Sequence, residues 1–333
     1  MGYTINDIAR MTGLSRATVS RVINNSSHVR PETRKIVQDA IDELGYVPNM
    51  IARGLRTETQ IVGVVTQDIL NPYYIEALYE IEKLCKAHGY ALLHMNSDND
   101  PAIEKQNLYQ LLSMQVQGVV MLANMNDASD SMIRRCRDST HMITMEGRIE
   151  GVDCVLSDPR QGVADLVDHL VELGHRQFGL AHRALRSFPI RERENVFRER
   201  LRTHGIEIKK EHVFFGDDYI RQIQQAWEKK LLPTVLFTLN DSTAFHVYRW
   251  AKDVGVDIPM DLSIAGFDNI STSGMMMPSL STVEQPIGRL AEIATQMLIE
   301  KIEKKGPRRG ERSQLINIGT HFIQRDSTAP PAH

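Results

Sequence analysis

TINDIARMTGLSRATVSRVI, residues 4–23, sets two short amphipathic segments on either side of Thr12, Gly13 and Leu14. That is the layout of a helix-turn-helix, whose second helix enters a DNA groove. Thr4 can cap a first helix with Ile5, Ile8 and Ala9 on one side; Ser15 can cap a second that turns Val19, Val22 and Ile23 inward. Arg16, Ala17 and Arg21 then face outward. Arginine can grip guanine O6 and N7 with two hydrogen bonds, and alanine leaves room for a thymine methyl. Thr18 and Ser20 suit phosphate oxygens. An ordinary helical hairpin with solvated arginines is the competing reading of this stretch alone.

A third helix is announced by Arg30-Pro31-Glu32, with proline at a first-turn position and the acid favoured by the helix dipole. Ile36, Val37, Ala40, Ile41 and Leu44 supply its apolar face, and Gly45 ends it. Residues 1–38 hold six basic side chains against two acids, a local balance of +4 in a chain of net charge −3. A phosphate-binding arm on an acidic body has this asymmetry.

The chain has 333 residues, 42% apolar and 24% charged, which predicts a globular protein of two or three domains. No apolar run approaches the ~20 residues of a membrane span. Met1-Gly2-Tyr3 leads straight into the first helix without a signal-peptide core, so a cytoplasmic location and no membrane partner are expected. Cys85, Cys136 and Cys154 are odd in number and widely spaced, as buried reduced thiols would be. The twelve histidines form no HExxH or Cys/His zinc spacing, and GxGxxG, GxxxxGK and GxSxG are missing. No metal or cofactor is expected, and no acid, base or nucleophile arrangement points to an enzyme.

From Gln60 onward strands and helices alternate, starting with IVGVVT and a helix over Tyr74–His88. Further strands are predicted at Ala91–Met95, Gly118–Leu122, Met142–Met145, Phe178–Ala181, Val235–Leu239 and Leu262–Phe267, with helices between most of them. About nine or ten strands exceed one small wound domain, so two α/β units are expected, changing near Leu156–Gly162, with a ligand between them. One large sheet is the alternative. YVPNMIARGLRTET, residues 46–59, bridges the two parts: Pro48 and Asn49 can start a short helix over Met50–Arg56, with Thr57–Gln60 as linker. So short a helix is expected to form only when docked.

Taken together these residues resemble the lactose-repressor/galactose-repressor (LacI/GalR) family of bacterial transcription regulators over essentially the whole chain. Residues 4–56 follow its N-terminal pattern, and ILNPYY (69–74), VLSDPRQG (155–162), LVELGHRQFG (170–179), FTLNDSTAF (237–245), DLSIAGFDN (261–269) and PSLSTVEQP (278–286) match further on. The resemblance implies an α/β protein: a three-helix DNA-binding domain (1–48), a hinge helix and linker (49–60), and a two-subdomain periplasmic-binding-protein-like effector domain with parallel sheets (61–333). Its subdomains would be about 61–157 with 288–316, and 158–287 with 317–328. Thr4, Ser15, Arg16, Ala17, Thr18, Ser20, Arg21, Asn24, Asn49, Arg53 and Leu55 would meet DNA. Leu55 and its partner copy would wedge open the central step from the minor groove. Gly54 would weaken that hinge helix by roughly 1 kcal/mol relative to alanine.

For the effector the resemblance implies Arg193, Asn240 and Asp268, with Asn71, Tyr73, Tyr74 and Glu146 as further candidates. Charged donors and acceptors beside flat phenol rings suit a polyol. Arg193 lies in IRERENVFRERLR, whose arginines would ordinarily be solvated; its place four residues before Phe197 singles it out. Tyr73 and Tyr74 have a competing role as core residues at a helix start. Glu146 replaces the family's aspartate or asparagine, His182-Arg183 replace Gly-Pro, and Val196 replaces a glycine, so the pocket floor differs from familiar ones.

Members bind palindromic operators as two-fold dimers. The helix carrying Ala77, Leu78, Ile81, Leu84 and Cys85 has two possible roles, part of that interface or sheet cover. After IQRDST the chain ends in APPAH without a heptad tail, so no tetramer bundle is expected. Effector binding would change the angle between the α/β units and thereby form or melt the hinge helices. A sugar or sugar derivative is the first expectation, a nucleobase or nucleoside corepressor the second. Induction, corepression and activation all stay open, and a free-standing sugar-binding protein would have no use for residues 1–58.

Overall fold

The computed structural model describes residues 3–23, 28–45, 59–122, 131–183, 188–304 and 313–332. The chain divides into Met1–Thr59 and Gln60–His333.

The first unit holds α1 (Ile5–Thr12), α2 (Arg16–Ile23) and α3 (Pro31–Leu44). The Thr4 amide and hydroxyl both donate to the Asp7 carboxylate, at 2.8 and 2.7 Å, which closes the first turn of α1. Gly13 at φ 68° ends that helix, and the Ser15 hydroxyl accepts from Thr18 N at 3.1 Å to start the next. Ile8, Val19, Val22, Val37 and Ala40 form the shared core, with Ile5, Ala9, Ile23, Ile41 and Leu44 packed against it. Ile36 departs from its expected burial and is 51% exposed. Val37, Ala40, Ile41 and Leu44 already fill the inward stripe, and a residue one step earlier lies about 100° around the helix.

The second unit comprises two six-stranded sheets rather than one large sheet. The first is built from β1 (Ile61–Thr66), β2 (Ala91–Asn96), β3 (Gly118–Leu122), β4 (His141–Met145), β5 (Asp153–Asp158) and, much later, β11 (Leu315–Gly319), in the order β11-β5-β4-β3-β1-β2, all parallel. The second uses β6 (Phe178–His182), β7 (Val213–Phe215), β8 (Val235–Thr238), β9 (Ser263–Asp268), β10 (Ser281–Glu284) and β12 (His321–Ile323), in the order β12-β10-β9-β8-β6-β7. Among the described residues only the β10–β12 pair is antiparallel. The twelve strands among the described residues outnumber the nine or ten expected. The short β7, β10 and β12 and the alternately exposed β11 lack the continuous apolar run that marks a buried parallel strand.

Helices cover both faces: α4 (Pro72–Ala87), α5 (Pro101–Ser113), α6 (Ser131–Ser139), α7 (Arg160–Glu172), α8 (Phe188–Thr203), α9 (Tyr219–Glu228), α10 (Asp241–Val254) and α11 (Ile287–Glu303). No described helix is long and apolar enough to cross a membrane. In α4 the residues Ala77, Ile81 and Cys85 are fully buried in their own lobe, so that stripe covers the sheet; Ile75 and Tyr79 are the exposed apolar positions. Cys85, Cys136 and Cys154 are buried and free.

The chain crosses between sheets three times, after β5, after β10 and between β11 and β12. These crossings touch one another. Thr320, the single residue between β11 and β12, donates its hydroxyl to Asp158 O at 2.9 Å. A Cβ on Gly162 would lie 2.6 Å from both Thr320 Oγ1 and Val283 Cγ1, so only glycine lets α7 approach this junction.

Candidate functional site

In open parallel sheets the loops after the strand ends converge on one rim, where ligands bind. Here the rims of the two sheets face each other around a cavity of about 490 Å³. Asn71 follows β1 and caps α4, its side chain accepting from Tyr73 N at 3.1 Å. Glu146 follows β4 at φ 56°, Asn240 follows β8 and caps α10, and Asp268 closes β9 at φ 122°. Asp98 and Asn99, after β2, also have positive φ. Four non-glycine residues in left-handed backbone around one cavity concentrate strain where a ligand would sit.

The structure brings all seven predicted effector residues, Asn71, Tyr73, Tyr74, Glu146, Arg193, Asn240 and Asp268, to this cavity. Arg193 is 6% exposed, although its neighbours on α8 are half-buried or exposed. Arg193, Phe197 and Leu201 recur at i, i+4 and i+8 and make the inward stripe of the helix. Its guanidinium lies 3.9 Å from the Phe267 ring centroid, donates to Leu239 O at 2.8 Å and to Asp268 Oδ1 at 3.3 Å, and comes within 3.8 Å of Glu146 Oε2. The longer Glu146 side chain turns its carboxylate onto the crossing strand, accepting from both the amide and, at 2.9 Å, the hydroxyl of Ser157.

Burial raises the pKa of Asp268, opposed by the Arg193 charge and by Gln285, whose amide donates to it at 2.5 Å. Burial likewise raises Glu146, against the pull of Arg193 and Ser157. Both phenols are raised by burial and stay protonated. Tyr73 and Tyr74 meet edge to face at 5.3 Å, and the buried Tyr73 hydroxyl has no hydrogen-bond partner among the described residues. Ligand hydroxyls can satisfy such a group.

Behind this wall Asp241 accepts from Ser273 and Thr282 hydroxyls, each at 2.6 Å, and from Ile270 N at 3.2 Å. A Cβ on Gly266 would fall 2.1 Å from its Oδ1, so glycine in AGFDN makes room for a buried carboxylate.

Apart from Arg183, which the sequence placed at the pocket floor, the outer rim is a part that the sequence reading missed: Asp68, Asp98, Asp217, Tyr219 and His246. Arg183 pairs with Asp217 at 3.3 Å and Tyr219 OH shares a hydrogen with His246 Nδ1 at 2.7 Å. Their only signal was position, since several follow a strand end. His182, in place of the expected glycine, is buried and packs its ring edge on Phe215 at 4.6 Å. Val196 is half-buried against the core of the second lobe.

On the first unit, Arg16, Ala17 and Arg21 are exposed on α2 and Thr18 and Ser20 are half-buried beside them. Thr4 and Ser15 stand at the starts of α1 and α2. Asn24, Asn49, Arg53 and Leu55 lie outside the described residues.

Residues 4–49 match the family of bacterial regulatory proteins, lacI family, and residues 167–328 match the periplasmic binding protein-like domain. An HTH-type transcriptional repressor PurR from Erwinia tasmaniensis is 34% identical, the match covering 98% of this chain and 97% of that protein. Among solved structures, the Lac repressor dimer bound to operator and the anti-inducer ONPF superposes with a TM-score of 0.82 at 23% identity, over 99% of this chain and 100% of that one. A LacI family transcriptional regulator from Enterococcus faecium with bound ribose gives a TM-score of 0.70 at 25% identity, over 81% of this chain and 99% of that one.

Proposed function

This chain belongs to the lacI family of bacterial regulatory proteins and is a DNA-binding transcriptional repressor rather than an enzyme, and from that premise we propose that it acts in the cytoplasm as a homodimer whose operator affinity is set by a small carbohydrate-like effector held between its two lobes. The observation that carries the reading is Arg193: a buried guanidinium at the wall of a polar cavity, already aimed by Leu239 O and Asp268. A guanidinium between carboxylates offers both donors and acceptors to vicinal hydroxyls, and the phenol of Tyr74 offers an apolar edge to a sugar ring. The ribose-bound relative supports the same class of ligand.

The cleft has the connections that coupling needs. Ser242 donates to Asn71 at 3.1 Å and Ser271 N to Glu76 at 2.9 Å, each bond joining one lobe to the other. A ligand that prefers one degree of closure by about 1–3 kcal/mol shifts the equilibrium by the same amount, with the three touching crossings as the pivot. Exposed Ile75 and Tyr79 on α4, with Met275 and Met277 in the second lobe, are the apolar surface a dimer would cover.

The test is selection of genomic fragments by the purified chain, then titration of the selected DNA with candidate sugars. A palindrome with half-sites about one helical turn apart, whose affinity changes with a sugar, supports the proposal. A non-symmetric site, or a response confined to nucleobases, overturns the dimer or the carbohydrate assignment respectively.

A further inference from the structure

The groups lining the cleft have one charge sign in excess. Among the described residues, Asp68, Asp98, Glu146, Asp217 and Asp268 stand against two guanidiniums, Arg183 and Arg193. Each guanidinium already stands beside carboxylates: Arg193 beside Asp268 and Glu146, and Arg183 beside Asp217. Even with Asp268 protonated, four carboxylates face the two. His246 adds no compensating charge, because desolvation, reinforced by Arg183, lowers its pKa.

Helix N-termini are the other place a phosphate binds. Four helices, α4, α8, α9 and α10, put first-turn residues into this cleft, and at each start a proline removes an N–H or an acid stands beside the first turn. Pro189 lies in the first turn of α8, and Asp217 and Asp218 stand immediately before α9. In α4 the first residue, Pro72, has no N–H and Tyr73 N is taken by the Asn71 side chain. In α10 the Asn240 side chain takes Thr243 N at 2.8 Å, and the buried Asp241 carboxyl sits in the first turn. Among the described residues the cleft offers a ligand carboxylate acceptors and neutral donors, the unpartnered Tyr73 hydroxyl among them.

We propose that the cleft selects a neutral, polyhydroxylated molecule and rejects its phosphorylated or carboxylated forms, while an amino group in place of a hydroxyl binds at least as well. This rests on the reading of the cleft as the effector site. A phosphate would bring further negative charge into a cleft where carboxylates outnumber guanidiniums among the described residues, and like charges in a partly desolvated cleft repel strongly.

The experiment is calorimetric titration of the full chain with matched sets: glucose, glucosamine and glucose 6-phosphate; galactose, galactosamine and galactose 6-phosphate; ribose and ribose 5-phosphate. In any set that binds, the neutral member is expected to bind at least about thirtyfold tighter than its phosphate, and the amine no weaker than the neutral sugar. A phosphate that binds as well as its parent overturns the charge proposal while leaving the effector site in place. Binding by no member overturns both. Asp217→Asn, a change at an exposed side chain, frees Arg183 and is expected to narrow the gap between neutral and phosphorylated sugar about tenfold. An unchanged gap in that variant overturns the electrostatic account.

Discussion

Arg193 on α8 and Glu146 after β4 belong to opposite lobes and approach to 3.8 Å across the cleft. Each is also tied into its own lobe, Arg193 through Leu239 O and Asp268, Glu146 through Ser157. The ion pair therefore links the two lobes at the wall of the cleft.

Replacing Arg193 with alanine is expected to leave DNA binding while abolishing the effector response. It also strands two buried carboxyls, a change that costs about 3–5 kcal/mol when a buried pair is broken. Anisotropy with labelled operator, with and without ligand, reads the first effect, and urea unfolding reads the second. A normal ligand response removes Arg193 from the site.

The acids give a pH prediction. Asp268 and Glu146 have raised folded-state pKa values, so the folded protein holds protons that the unfolded chain has released. Their contribution is greatest below the ordinary carboxyl pKa and declines as pH rises towards the raised values, by about 1.4 kcal/mol for each unit of elevation. Asp268→Asn is expected to flatten that decline, measured as urea midpoints across mildly acidic to neutral pH. A variant with the slope of the parent contradicts the assignment.

Gly162→Ala places a methyl into Thr320 and Val283 where the three crossings meet. Overpacking of this kind costs about 1–3 kcal/mol. A shift in the effector concentration needed for half response should accompany the loss of stability, and thermal unfolding beside an operator titration checks both.

On α2, Arg16→Ala and Arg21→Ala should each cost about 1–3 kcal/mol if the side chain reads a base, and relax preference at that base alone. If the contact is to phosphate, all sequences weaken together and the salt slope falls by about one. Binding selections repeated with each variant distinguish the two.

The helix-turn-helix was legible because its signals are local: Thr4 and Ser15 at helix starts, Gly13 at φ 68°, and apolar residues at helical spacing. The long strands and the cleft-lining positions Asn240 and Asp268 were legible for a similar reason, being at the ends of apolar runs. Arg193 was ambiguous because its burial is decided by Phe267, Leu239 and Asp268, none of them near in sequence. The rim pairs Arg183–Asp217 and Tyr219–His246 were out of reach on the same ground. Only the folded loops bring them together.

β11 and β12 are separated by Thr320 alone, yet they edge different sheets. Neither lobe is complete until residues 315–323 have left the ribosome, whereas the three helices of the DNA-binding unit emerge first and close their own core. Synthesis thus passes through a stage with a finished DNA reader and an unfinished sensor. A stop codon shortly before residue 315 would freeze that stage, stripping an edge from both sheets at once.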